Sequence, residues 1–143
     1  MNAAGIEQTI QCIADEFAFL GDWEERIAHL IELGRTLAPI ADSERSEAHR
    51  VRGCASQVWL VRERDPADPE KLKFRGDSDA HLVSGEIALL LRVFSGRTPG
   101  EILSVDPKLL FDRLGLGEAL TPQRSNGLFS MMSRIQHEAR AAA

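Results

Sequence analysis

One stretch of this chain sets a nucleophile where it could work: Val51-Arg-Gly-Cys-Ala-Ser-Gln-Val-Trp-Leu60. Cys54 follows a glycine and precedes a short apolar, β-rich run, which predicts a loop at the mouth of a strand. Gly53 permits backbone angles that other residues resist, and it lets a partner come close. Just upstream, Arg45, Glu47, Arg50 and Arg52 sum to +2 in a chain whose net charge is −5. Positive charge near a thiol favours the thiolate, which is the nucleophile; an unperturbed cysteine ionises at about pH 8.5. The same residues also suit a cysteine that merely packs as a small apolar group, so spacing alone leaves both readings open. Cys12, beside an apolar helical stripe, is expected to be a packing residue.

Other chemistries find less support. No GxxxxGK[ST], GxSxG or strand-linked GxGxxG occurs. His29, His49, His81 and His137 form no H-x-x-x-H pair, and two cysteines 42 residues apart offer no zinc-finger spacing. No metal site is expected. Asp77 and Asp79 could be paired acids, but acids beside a helix start are better read as partners of free backbone N–H groups. A self-sufficient cysteine-dependent enzyme, such as a thiol hydrolase or peroxidase, would need a base oriented on Cys54; His49 and His81 are the candidates. An iron–sulfur scaffold would need several ligands, commonly cysteines, and no second thiol lies near Cys54 in sequence.

Several elements must position this loop. Ile6, Ile10, Ile13, Phe17 and Leu20 recur on one helical face. Asp22 and Glu25 resemble a capping box opening a second helix with Trp23, Ile27, Leu30, Ile31 and Leu33, ended by Gly34 and Pro39. Residues 41–47 read as a loop. Val58–Val61 reads as a strand, 65–69 as a turn, and Lys71–Arg75 as the returning strand with Leu72 and Phe74 facing the same way. His49–Arg52 could add a third strand. Asp77 and Ser78 are expected to cap a helix holding Leu82, Val83, Ile87, Leu90, Leu91 and Phe94. Thr98-Pro99, Asp106-Pro107 and Thr121-Pro122 each place a cap before proline at the first helical position. Gly96 and Gly115 suit helix exits. The last helix carries Leu128, Met131, Met132 and Ile135, and Ala139–Ala143 is expected to fray. This order predicts an α+β fold: a small antiparallel sheet of two to three strands with helices packed on one face.

The chain has 143 residues, 43% of them hydrophobic and 27% charged, which suits a single globular domain over 1–143 with its own core. Its acidity argues against nucleic acid as a partner. No apolar run approaches a membrane span, and MNAAGIEQTI lacks the basic and apolar regions of a signal peptide. A cytoplasmic location with reduced thiols is therefore expected.

Four blocks in order resemble the SufE family of sulfur-acceptor proteins. They are Trp23-Glu24-Glu25-Arg26 with Ile31-Glu-Leu-Gly34; Val51, Gly53-Cys54 and Ser56-Gln57-Val58-Trp59-Leu60; Gly76-Asp-Ser-Asp-Ala80; and Leu120-Thr-Pro-Gln-Arg124-Ser-Asn-Gly127. His49 stands where many members carry Asn, and Arg52 occupies a variable place. The resemblance implies a fold similar to that of the U-type iron–sulfur scaffold. It also implies an accessory role rather than an enzymatic one, with no cofactor on this chain. A pyridoxal-phosphate cysteine desulfurase (SufS- or CsdA-like) would form a persulfide on its own cysteine. Cys54 would take the outer sulfur and pass it to a scaffold such as SufBCD for cluster assembly. Gly53, Ser56 and Gln57 would shape the loop; Asp79 and Arg124 would give structural or docking support. The SufE branch and its sister CsdE branch are not separated by these motifs. A persulfide must survive between partners, so Cys54 is expected in a shallow pocket lined by Trp59 and apolar helix residues, with docking moving the loop outward.

Overall fold

The computed structural model describes residues 3–117 and 120–143; residues 1–2 and 118–119, which fall within the expected domain and the N-terminal stretch read for a signal peptide, lie outside the described residues. The chain opens with helices α1 (Ala3–Phe19) and α2 (Trp23–Gly34). The apolar stripe of α1 behaves as its spacing predicts: Ile6, Ile10, Ile13 and Phe17 are buried. Asp22 caps α2 by accepting the Glu25 N–H. Trp23 points outward, 57% exposed, and Leu30 is the fully buried contact of α2.

A long irregular segment follows, with one 3-10 turn at Asp42–Glu44. It leads to an antiparallel hairpin of β1 (Val58–Arg64) and β2 (Leu72–Ser78), paired from Val58↔Ser78 to Arg64↔Leu72. Leu72 and Phe74 face the core together, as their period-two spacing requires. The expected third strand at His49–Arg52 is reduced to a single bridge, Arg50↔Trp59. The Val51 N–H donates to Val58 O at 2.8 Å and the Leu60 N–H to His49 O at 2.8 Å. Leu72 makes a similar bridge with Arg97 on the other side of the hairpin. Both edges of the ribbon are thereby partly covered, which limits unwanted strand pairing.

Helix α3 (His81–Phe94) is buried over most of its surface, from Val83 to Leu90 and at Val93 and Phe94. It packs on α2, on β2 and against α1 and α6. Asp77 and Ser78 do not cap it. They belong to β2, which runs three residues beyond the expected Arg75, and α3 begins after Ala80 without a side-chain cap. The strand outcompetes the cap because the side chains of Asp77 and Ser78 are engaged by residues that precede β1. Asp77 Oδ2 accepts from Arg45 Nη2 at 2.7 Å, and Ser78 Oγ donates to Gln57 O at 2.6 Å.

The remaining helices are α4 (Pro99–Leu103), α5 (Pro107–Leu114) and α6 (Pro122–Ala142). Thr98, Asp106 and Thr121 cap them through their side chains, each before proline. Gly115 closes α5 in the left-handed region at φ 65°. The C-terminal alanines do not all fray: α6 runs through Ala142, and Ala139 is completely buried. The architecture is α+β, a two-stranded antiparallel sheet with helices against it. Among the described residues, no helix is long and apolar enough to cross a membrane.

Candidate functional site

The Cys54 loop is held at both ends. On the entry side, Arg134 of α6 donates from Nη1 to Arg50 O at 2.8 Å and from Nη2 to Ala48 O at 2.7 Å. On the exit side, Asp79 Oδ1 accepts the Gln57 N–H at 3.0 Å, while Ser78 Oγ holds the Gln57 carbonyl. Asp79 is thus a loop clamp, not a helix cap. Gly53 turns the chain at φ 87°, and a Cβ there would stand 2.5 Å from Ser130 Oγ. Positive φ and close approach together require glycine.

Between these clamps the thiol is only lightly held. Cys54 is half-buried, and its Sγ donates to Gly127 O of α6 at 3.6 Å. It opens into a cavity of about 70 Å³ whose walls include Ser56, Val83, Glu86, Arg124, Gly127 and Met131. The predicted pocket exists, but Trp59 is not among its walls. Trp59 is buried on the far side of the strand alternation from Val58 and Leu60, with the Arg45 guanidinium 5.0 Å above its ring. That stacking of a cation on an aromatic face fixes the segment before the loop rather than the loop itself.

The electrostatics bear on a point that the sequence leaves open. The upstream arginines do not make the resting thiol acidic. Burial pushes the Cys54 thiol up, Glu86 adds to the rise, and Arg50 opposes both. Arg52 pairs with Glu47 at 3.2 Å on the surface, and Arg45 is turned to Asp77 and Trp59. The uncharged thiol is the resting form.

The structure gathers Cys54, Ser56 and Arg124 around one cavity, with Gly53 and Gln57 in the same loop and Asp79 clamping it. It does not bring a histidine there. His49 Nδ1 lies 2.9 Å from Glu44 O, and neither His49 nor His81 lines the cavity. Cys12 is exposed on α1, not packed as its register predicts; it sits at the edge of the apolar stripe, where the helix turns to solvent. Among the described residues, no group of three or more His, Cys, Asp or Glu side chains could hold a metal ion.

Sequence reasoning missed Glu86. It is 1% exposed, and its Oε1 has no hydrogen-bond partner. Burial raises its carboxyl to about 8, with Arg124 pulling the other way. A signal was present: Glu86 falls four residues after Leu82 and four before Leu90, so it shares their core-facing register.

The comparisons with known proteins agree with one another. Residues 11–139 match the family model "SufE: Fe-S metabolism associated domain". An uncharacterized SufE-like protein of Rhizobium etli is 47% identical over 133 residues, covering 92% of this chain and 89% of that one. A second, from Rhizobium meliloti, is 47% identical over 129 residues, covering 89% of this chain and 91% of its own. The fold matches the solution structure of a hypothetical protein from Thermus thermophilus with a TM-score of 0.74, at 23% identity and over 99% of this chain and 98% of that one.

Proposed function

The chain belongs to the SufE family and carries its Fe–S metabolism associated domain, and on that premise we propose that it works as one domain, an accessory sulfur carrier whose acceptor is Cys54. The observation that carries this reading is the placement of one lightly held thiol at the mouth of a small cavity, between two firmly clamped loop ends. A pyridoxal-phosphate cysteine desulfurase would present a persulfide. The Cys54 thiolate attacks the outer sulfur, the donor's sulfur–sulfur bond breaks, and the donor cysteine leaves as a thiolate. Such exchange depends on thiolate fraction, access and leaving group.

The raised thiol fits a carrier that is quiet when alone, because an uncharged, half-buried sulfur resists stray oxidation and alkylation. Docking that shifts the loop outward at the cavity mouth would ease part of that burial and bring the donor persulfide to the sulfur. Gly53, Ser56 and Gln57 shape the loop, Asp79 clamps it, and Arg124 walls the cavity. A reducing compartment such as the cytoplasm would keep both cysteines free. The consumer of the sulfur is a cluster scaffold of the SufBCD kind, by way of a SufS- or CsdA-like donor; the CsdE-type role differs only in those partners. A self-sufficient cysteine enzyme loses the two bases considered for it, since neither His49 nor His81 lines the cavity.

The test is intact-mass analysis after incubation with a cysteine desulfurase and L-cysteine, followed by peptide mapping. The peptide containing Cys54 gains the mass of sulfur, and Cys54→Ser does not while keeping its fold. Absence of added sulfur on that peptide in the wild type overturns the reading.

A further inference from the structure

Sulfur uptake as described leaves one group in the cavity unused. Glu86 projects from the centre of α3 with a carboxyl oxygen that is sealed from solvent and bonded to nothing. A buried, unpaired polar atom of this kind costs free energy, and the neighbouring positions in the same register, Leu82, Val83, Leu89 and Leu90, are leucine and valine. A hydrocarbon would fill the place at lower cost. Glu86 shares its cavity with Cys54, and at about 70 Å³ that cavity has room for a bridging water between carboxyl and sulfur.

We propose that Glu86 is the proton acceptor for Cys54 during sulfur uptake, taking the thiol proton directly or through one water as the sulfur attacks the donor persulfide. This rests on the reading of Cys54 as the acceptor. The S–H bond of Cys54 breaks and its proton passes to Glu86. A bond forms between Cys54 and the donor's outer sulfur, which keeps its own hydrogen, and the donor's sulfur–sulfur bond breaks. Its electron pair leaves with the donor cysteine as thiolate. One negative charge, carried by the carboxylate before the step, is carried by the donor thiolate after it. No oxidant or reductant is needed.

The surroundings suit the task. The loop contributes Cys54, and α6 contributes Arg124, which among the described residues is the charge that pulls Glu86 toward ionisation. Arg50 acts on the sulfur. No charged group from α1, α2 or β2 weighs on Glu86. Burial raises the carboxyl to about 8, bringing it close to the proton affinity of a thiol; an ordinary carboxylate would be too weak a base, and general bases work best when matched in this way.

The test uses the full chain on a Cys12→Ser background, with two readouts across pH. One is the ultraviolet absorbance of the Cys54 thiolate; the other is the rate of sulfur loading from a cysteine desulfurase supplied with L-cysteine. Glu86→Gln moves the thiolate titration to lower pH, because a repelling charge is gone, yet slows loading near pH 8 by ~10-fold or more. Glu86→Asp recovers part of the rate. Easier ionisation combined with slower transfer is not what a packing defect produces. Loading by Glu86→Gln at the wild-type rate across pH, or a shift of both readouts in the same direction, overturns the proposal. Should glutamine not be tolerated, the wild type decides: loading must rise near pH 8, ahead of the thiolate titration, and a coincident rise overturns it. A wild type that takes no sulfur on Cys54 sinks the acceptor reading itself, which separates the two failures.

Discussion

Helical glycines meet their neighbours in opposite ways at two places in the fold. Gly85 lies where α3 crosses α2, and a Cβ there would stand 1.9 Å from Leu30 O. Gly34 closes the same crossing from the other side, its would-be Cβ 2.7 Å from Gly85 N. Gly127 of α6 faces the Cys54 loop, and a Cβ there would meet Sγ at 3.8 Å, ordinary contact. The first pair locks backbone against backbone. The second would accept an added methyl at ordinary contact distance from a sulfur atom. The frame thus has no room to spare where the helices cross and ordinary packing beside Cys54.

The largest effect should come from the locked crossing. Gly85→Ala drives a methyl into the Leu30 carbonyl, which no side-chain rotation can relieve. A loss of more than ~4 kcal/mol in denaturant unfolding is expected, and near-wild-type stability would show that the crossing yields. Next comes the buried acid. Glu86 ionises near 8 in the folded chain and near 4.5 when unfolded, so its folded form holds a proton that the unfolded chain releases. Wild-type stability should therefore match that of Glu86→Leu most closely below pH 4.5. It should fall behind progressively up to about pH 8, by on the order of a few kcal/mol. Parallel stability–pH curves would contradict this burial.

Asp79→Ala removes the carboxylate that receives the Gln57 N–H. It should cost about 1 kcal/mol and speed alkylation of Cys54 several-fold by freeing the exit of the loop; unchanged alkylation would mean that Asp79 clamps nothing. The smallest shift belongs to Gly127→Ala. Alanine is the better helix former by roughly 0.5–1 kcal/mol, so stability should rise slightly while the narrowed cavity slows sulfur loading. Destabilisation there would erase the contrast with Gly85.

Much of this arrangement is legible in the residues. The α1 stripe, the three cap–proline starts and the hairpin follow from local periodicity and turn chemistry, and Cys54 from its place between Gly53 and an apolar strand. Most of the failures share one cause: partners distant in sequence. Asp77 and Asp79 have the composition of caps, yet Arg45 and Gln57 claim their oxygens across the fold. The arginines near Cys54 look like activators of a thiol, but Arg45 and Arg52 are taken up by other pairs. Cys12 shows the limit of a helical stripe, whose edge residues turn to solvent with a small rotation. Glu86 contradicts the hydrophobic pattern around it, and such contradictions concentrate at working sites.

The compartment beside Cys54 has a capacity as well as a position. Its volume of about 70 Å³ is well above the ~10–15 Å³ that a single water needs. On the carrier reading the added sulfur finds shelter within those walls, so the freight can be stowed beside Cys54 instead of hanging in bulk water.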